Sequence, residues 1–547
     1  MTEFCVPENS PASCGRKAVL AIAALVAAMT VLRLVYAALT DLRTDEAYYW
    51  TWAHENVLSF LDHPPMIAWF IRAGTAMFGD TTLGVRFAGI VAMLVSELLV
   101  ADIVWRVTRN VCAAGLGVLL MEGAIYYGLL MAKVAPDTAA IPFSLAMLWA
   151  LVRLAETSNA RWWLAAGVFG GLALLSKVTV VFFVPAIVAF ALVPDWRTRW
   201  LRSGWPWAAA LIALAIVSPV LIWNAQNDWA GFKFQFVRAA ADNPVNLGKV
   251  GEFIGLQLGL LNPILFFVLL SALAVMAWRG YRRGLPVAIL LSTCTLVPLV
   301  YFFWKSLTLR IGDTWPMAIW PPAIAAAAIN VAMMRTEQRP EWLVRSTERW
   351  ASLAGVGGIV LVVLVFAHYT FGSWPLAAKI DPVAGEAGYH ELAASVKAEM
   401  AKVGATYIAT ADYRTYAMMR WELRGGDIPV VQVNERSRFI GFRLPDAARI
   451  AGHVGVYVAR APDDKAVAWS HTDATLEPLV VVQRRWRGVE IAPYLISKVT
   501  GWTPDLLPAR ETPLYQWPSL VWNGAGDGRI ALRRHPEEPL RRDGLEG

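Results

Sequence analysis

Between Arg43 and Arg72 the chain reads RTDEAYYWTWAHENVLSFLDHPPMIAWFIR, placing two adjacent carboxylates, Asp45 and Glu46, ahead of Asp62 and His63. Ionisable groups just past an apolar run are costly beside a bilayer, so they point to function by default. A carboxylate near an apolar surface has its pKa raised towards the working pH and can then take a proton from a hydroxyl nucleophile. Asp45 is the first choice for that base. Glu46 is placed to orient it, to hold an acceptor hydroxyl or to help bind a divalent cation; termination of the preceding helix is the bland alternative. Asp62 is a candidate N-cap for a helix opening at Pro64 and Pro65, which suit a first turn. His63 is a weaker candidate for phosphate, metal or a cap, because no second histidine stands at ligand spacing.

Further along, Lys133 and Asp137 flank Pro136 in one short turn, either as site residues or as a local ion pair. Lys177 and Arg310 fall at helix ends, where a fixed positive charge can meet an anionic headgroup or simply snorkel to lipid. Asn224, Asp228, Lys233 and Arg238 share a long loop with Trp229, Phe232, Phe234 and Phe236. That loop reads as an interfacial helix before it reads as a lid.

The elements that must hold these residues are membrane spans. The chain has 547 residues, 57% hydrophobic and 17% charged, with a mean hydropathy of +0.46; this composition marks a polytopic membrane protein. Its four cysteines, Cys5, Cys14, Cys112 and Cys294, show neither a disulfide framework nor zinc spacing. The net charge of +7 is spread through short loops between apolar runs, an orientation signal rather than a nucleic-acid surface. With about 20 apolar residues to a span, roughly eleven transmembrane helices are expected. They lie near Ala18–Leu39, Leu83–Trp105, Val111–Met131, Thr138–Leu154, Trp162–Ser176, Val178–Val193, Trp207–Trp223, Phe253–Trp278, Pro286–Trp304, Trp315–Met334 and Ala351–Phe371. The first run is too long for a signal-peptide core and reads as an uncleaved span.

Arginines near 106–109, 153–161, 197–202, 279–283 and 335–349 assign those loops to the cytoplasm. The loops that carry the candidate residues then face outward, as does everything after Phe371. There the composition becomes that of a soluble domain, with an amphipathic helix over Tyr389–Val403 and strands near Thr406–Thr410, Val430–Val433, Val454–Ala459 and Leu479–Gln483. The expected organisation is a membrane domain over 1–371, a small C-terminal α/β or α+β domain over 372–532, and a disordered charged tail over 533–547. No repeat of fixed period appears, which weakens readings built on duplicated halves.

Several short elements recur together in order: Asp45-Glu46-Ala47-Tyr48-Tyr49-Trp50, Asp62-His63-Pro64-Pro65, Phe78-Gly79-Asp80, Ala135-Pro136-Asp137, Leu175-Ser176-Lys177, Trp223 to Trp229, and Asp313-Thr314-Trp315-Pro316. In them the chain resembles the GT-C-type glycosyltransferases that use polyprenyl-phosphate sugars. That group includes lipid A aminoarabinose transferases, rhizobial lipopolysaccharide galacturonosyltransferases and protein O-mannosyltransferases. The resemblance covers roughly the first two thirds. Two departures stand out: His63 replaces a lysine found before the paired prolines in aminoarabinose transferases, and Gly312 and Asp313 stand where similar members carry a glutamate.

The resemblance implies a GT-C-like helical fold and a single displacement with inversion at the periplasmic face of the bacterial inner membrane. It implies a polyprenyl-phosphate-linked donor and an acceptor that is lipid A, lipopolysaccharide core or a protein hydroxyl, with membrane lipids as surroundings and no nucleic-acid partner. Asp45 and Glu46 are then the catalytic candidates. Asp62, His63, Lys133, Asp137, Lys177, Asp228, Arg310, Asp313 and Trp315 are the substrate-binding ones, and Trp50, Trp52 and Trp315 are aromatic contacts to sugar or lipid. No cofactor is implied with certainty, a divalent cation remains open, and no metal ligand set is assigned. The rival from another class is a transporter or flippase of lipid-linked sugars.

Overall fold

The computed structural model describes residues 15–240, 244–372, 386–433, 435–443, 445–461 and 474–502, together with Trp374, Asp381 and Val383. The side chains of Asp195, Arg238, Ala239, Ala240 and Arg436, and the expected tail over 533–547, lie outside what is described.

The chain opens with α1 (Arg16–Leu39), followed by two short helices, α2 (Thr44–Ala53) and α3 (Met66–Phe78), and then α4 (Thr82–Thr108). Next come α5 (Val111–Glu122) and α6 (Ile125–Gly128), then α7 (Pro136–Thr157), α8 (Arg161–Leu174) and α9 (Val184–Ala191). Helices α10 (Pro194–Leu201), α11 (Trp205–Gln226), α12 (Ala230–Ala240) and α13 (Leu247–Leu261) lead to four long ones. These are α14 (Pro263–Arg283), α15 (Pro286–Ser306), α16 (Trp320–Thr336) and α17 (Glu341–Phe371).

Among the described residues eight helices are long and apolar enough to cross a bilayer, or nine if the segment from Val111 to Ala132, bent by 77°, is one span. The difference from roughly eleven has local causes. Trp162–Ser176 and Val178–Val193 yield helices of only 14 and 8 residues, shorter than a bilayer needs. Phe253–Trp278 breaks at Asn262, which adopts φ +69°. The Asn262 side chain accepts from Leu265 N (2.9 Å) and donates to the Gly123 and Ala354 carbonyls (3.0 Å each), so the break is held on both sides.

Helix α16 sits at the centre, with every residue from Trp320 to Met334 buried. Its run AIAAAAINVA keeps the radius small, so neighbouring helices approach closely. Between α1, α4 and α5 the Arg33 guanidinium joins Glu97 (3.2 Å) and Glu122 and donates to Gly128 O (3.3 Å). At the opposite end from the candidate residues, Arg106, Arg109 and Arg153 converge on Glu156, grouping three arginines that the sequence places on one side. Cys112 is disulfide-bonded and Cys294 is a buried free thiol.

After α17 a five-stranded sheet forms from β1 (Tyr407–Thr410), β2 (Val430–Gln432), β3 (Gly455–Arg460), β4 (Thr475–Trp486) and β5 (Val489–Thr500), in the order β2-β1-β3-β5-β4. The first three are parallel to one another, and β5 runs antiparallel to both β3 and β4. Two helices pack on it, α18 (Tyr389–Val403), as expected, and α19 (Tyr413–Glu422). Helix α19 and strand β5 were not legible in sequence. YRTYAMMRWE has no clean apolar stripe, and β5 carries Pro493, which argues against a strand interior.

The aromatic segment Tyr48–Trp52 is covered by this C-terminal unit. Trp50 meets Trp421 edge-on at 5.2 Å, and Tyr48 meets Tyr413 at 4.8 Å. These rings find apolar partners on α19 and in the Phe439–Phe442 segment, so they join one buried cluster with α18, β1 and β3. Burying each such ring contributes about 1.5–3 kcal/mol.

Candidate active site

Helix α2 carries the paired carboxylates and is fixed at its start. Glu46 at the third helical position reaches back to accept from Arg43 N (2.9 Å), closing the first turn. Asp45 and Glu46 also place negative charge at the positive end of the helix dipole. Glu46 is 1% exposed. Its two oxygens take Arg86 Nε and Nη2 at 2.8 and 2.7 Å, and Oε1 also accepts from Val134 N at 3.1 Å. Arg86 is completed by the Thr40 and Asp41 carbonyls (2.8 and 2.7 Å). Burial alone pushes the Glu46 pKa up, but the Arg86 charge and these donors outweigh it and hold the group below its usual value. Glu46 is therefore a girder between α2, α4 and the turn at Val134, and it makes no hydrogen bond to Asp45 among the described residues.

Asp45, on the next face of the helix, is exposed. Its Oδ1 receives a long hydrogen bond from Tyr413 Oη at 3.4 Å. Protein encloses it on a wider radius, so desolvation raises its pKa; Arg414 and Arg43 oppose that rise, Glu386 adds to it, and the net shift is upward. Glu386 accepts from Thr44 N and Oγ1 (3.1 and 2.7 Å) and pairs with Arg43 at 3.6 Å. Beside this cluster lies Lys133, 3% exposed. Its Nζ sits 3.6 Å from the centre of the Tyr369 ring and has no hydrogen-bond acceptor among the described residues. Burial, then the neighbouring Arg43, drives its pKa well down.

The other sequence candidates separate into those the fold gathers here and those it does not. Lys133 and Asp137 are not a pair. Asp137 instead takes both its hydrogen bonds from Lys177 Nζ, at 2.7 and 2.6 Å, in a contact almost closed to solvent. Lys177 is thus committed to a carboxylate, and Arg310 pairs with Glu252 at a half-exposed surface. Asp62 is not an N-cap, because α3 begins at Met66 with Pro65 before it and no side-chain cap. Asp62 binds Arg438 and Tyr48 Oη (2.9 Å) instead. These partners overcome the rise that burial imposes and hold its pKa low.

His63 lies against Tyr49, ring centres 6.4 Å apart. Asp228 is an exposed turn residue with φ +52°. Asp313 is exposed and turns back on its own chain at Thr314 N, 2.9 Å. Trp315 packs against the helical core and lies over Gly312, where a Cβ would stand 2.7 Å from its Nε1. That contact accounts for the absence of a side chain at the first of the two departing positions. Trp50 and Trp52 are not free for a ligand: Trp50 Nε1 donates to Asp80 at 2.7 Å, and Trp52 stacks on Phe60 at 4.2 Å. Among the described residues no three His, Cys, Asp or Glu side chains converge on a metal position, so a divalent cation finds no three-ligand cage in protein alone.

The fold of the whole chain can be set beside solved structures. ArnT from Cupriavidus metallidurans superposes with a TM-score of 0.60 in the apo state and 0.59 with undecaprenyl phosphate bound, at 14% identity, covering 88% of this chain and 97% of that one. The chain shares the fold of that structure. In sequence, residues 62–223 match the dolichyl-phosphate-mannose-protein mannosyltransferase family. Lipid A galacturonosyltransferase RgtD of Rhizobium johnstonii is 28% identical over 304 residues, 51% of this chain and 60% of that protein. An undecaprenyl phosphate-alpha-4-amino-4-deoxy-L-arabinose arabinosyl transferase of Pseudomonas paraeruginosa is 27% identical over 272 residues, 46% of this chain and 47% of that protein. The chain thus spans about half the length of these relatives.

Sequence reasoning missed Arg86, Glu386, Tyr413, Arg414 and Arg438. Tyr413 lies 368 positions from Asp45, and Arg438 lies 376 from Asp62. No local spacing could have paired them. Arg86 carried a readable signal, an arginine within an apolar run, which needs a buried acid.

Proposed function

We propose that this chain is a membrane glycosyltransferase that moves a sugar from a polyprenyl-phosphate donor to lipid A or lipopolysaccharide core, with inversion, at the periplasmic face of the bacterial inner membrane. The observation that carries the reading is the Asp45 cluster: an exposed carboxylate at the start of α2, set among fixed cations and beside a buried lysine without an acceptor among the described residues.

Asp45 takes the proton of an acceptor hydroxyl as that oxygen attacks the anomeric carbon, and the bond from that carbon to the phosphate oxygen breaks. An acceptor that is itself a phosphate is already ionised and needs only orientation. Lys133 is the group assigned to the departing phosphate, since Lys177 and Arg310 already have carboxylate partners; the charge of the phosphate favours its protonated form, which then makes a charge-assisted bond. Glu46 and Arg86 position α2, and Asp137 with Lys177 fixes the start of α7. In this reading the described helices up to Phe371 carry the donor chemistry, and the described sheet unit that follows them closes the acceptor side.

Galacturonosyl transfer is the favoured activity, because the similar protein RgtD is a lipid A galacturonosyltransferase. The match over 62–223 to a protein mannosyltransferase family favours a second reading, transfer of a neutral hexose to a protein hydroxyl. A flippase would line a path with charges inside the helices. Here the charges inside the helices, Arg33, Glu97 and Glu122, are sealed from solvent and paired with one another. Mass spectrometry of lipid A and core from cells lacking the chain tests the reading: one sugar mass disappears and returns with the wild type but not with Asp45→Asn. Unchanged lipopolysaccharide removes this acceptor.

A further inference from the structure

Four arginines stand around the start of α2 and the turn at Asp62, and three of them have an acid. Arg86 holds Glu46 at 2.7 Å, Arg43 faces Glu386 at 3.6 Å, and Arg438 pairs with Asp62. Arg414, on α19, does not. Its guanidinium makes one hydrogen bond among the described residues, Nε to Tyr413 Oη at 3.1 Å. That same hydroxyl donates to Asp45, so the guanidinium stands two hydrogen bonds from the candidate base. Its two terminal nitrogens stay open on an exposed side chain. Nε anchoring fixes the plane of the group, leaving a fork of parallel donors that matches the two oxygens of a carboxylate.

From this we propose, resting on the glycosyltransferase reading above, that Arg414 is the specificity residue for an acidic donor sugar and binds the carboxylate of a hexuronic acid while Asp45 serves the anomeric centre of the same ring. A sugar carrying an ammonium is disfavoured at the same place, because Arg414 and Arg43 present positive charge there. A neutral hexose leaves the fork unfilled. The fork comes from the C-terminal unit, so that unit takes part in choosing the sugar and not only in covering the site.

The test uses the full chain in proteoliposomes with lipid A as acceptor and two synthetic donors, polyprenyl-phosphate galacturonic acid and polyprenyl-phosphate galactose. The readout is the ratio of kcat/KM for the two. For the wild type the ratio favours the acid. In Arg414→Gln it falls about 100-fold, mostly through KM of the acidic donor, and Arg414→Lys restores only part of it because an ammonium cannot form the paired contact. Equal losses on both donors, or an unchanged ratio, overturn the proposal. A loss that vanishes when the acceptor is dephosphorylated lipid A also overturns it and assigns Arg414 to the acceptor phosphate. A wild type that transfers neither sugar, nor any other lipid-linked sugar, instead contradicts the glycosyltransferase reading itself.

Discussion

At the scale of single residues, neighbours a few ångströms apart decide what two adjacent carboxylates do. Asp45 and Glu46 differ by one position, yet burial leaves the first with a raised pKa and Arg86 gives the second a lowered one. A base with a raised pKa loses competence on acidification sooner than an ordinary aspartate does, whose value is about 3.9. The kcat/KM profile for a hydroxyl acceptor therefore falls as pH drops through a midpoint above that value. Arg414 lowers the Asp45 pKa, so Arg414→Gln moves the midpoint to higher pH; a stationary midpoint would separate Arg414 from Asp45. Removing the acid from a buried pair leaves an arginine uncompensated at about 3–5 kcal/mol. Glu46→Gln is accordingly expected to reduce thermal stability in detergent, whereas Asp45→Asn, at an exposed position, leaves it near the wild type. The same argument applies to Asp137→Asn, which strands Lys177; a double change of Asp137→Asn with Lys177→Met recovers part of the loss.

At the scale of elements, the site is a junction. Helix α2 is pinned to α4 through Glu46 and Arg86, and its aromatic face is covered by α19. Asp80, in the Phe78-Gly79-Asp80 element, holds Trp50 by its carboxylate and Arg424 by its carbonyl, the latter at 2.9 Å. Asp62 ties the turn before α3 to Arg438, and Gln235 of α12 donates to the Asp62 carbonyl at 2.7 Å. Because the folded-state pKa of Asp62 is depressed, its contribution is fully present above the unfolded carboxylate value of about 4 and is lost as pH falls through the depressed one. Limited proteolysis of the region after Phe371 should therefore speed up at strongly acidic pH, and in Arg438→Ala already at neutral pH. Equal cleavage rates for Arg438→Ala and wild type would mean that the pair does not hold the junction.

The sequence made the α2 motif, the long spans and α18 readable, because apolar length and helical periodicity are local properties. It misplaced the partners. Lys133 and Asp137, four positions apart, looked like a pair, yet the acid is held by Lys177 from the end of α8, 40 positions on. Tyr48 to Trp52 has the composition of an interfacial segment and is buried only because a domain encoded more than 350 residues later supplies the opposing surface.

At the scale of the whole molecule, one end of the helical bundle gathers the open polar groups, and the C-terminal sheet unit is seated on it. The other end gathers the arginines that set orientation. On the glycosyltransferase reading proposed above, a lipid-anchored donor enters from the membrane side and the acceptor approaches beneath α19, with Asp45 between them. The most direct measurement is transfer by the purified full chain in proteoliposomes, with polyprenyl-phosphate galacturonic acid and lipid A, comparing wild type with Asp45→Asn. For a hydroxyl acceptor the account predicts lipid A heavier by one hexuronic acid with the wild type, and a rate about 10²–10⁴-fold lower with Asp45→Asn at unchanged thermal stability. An Asp45→Asn protein that transfers to that hydroxyl at the wild-type rate would contradict it.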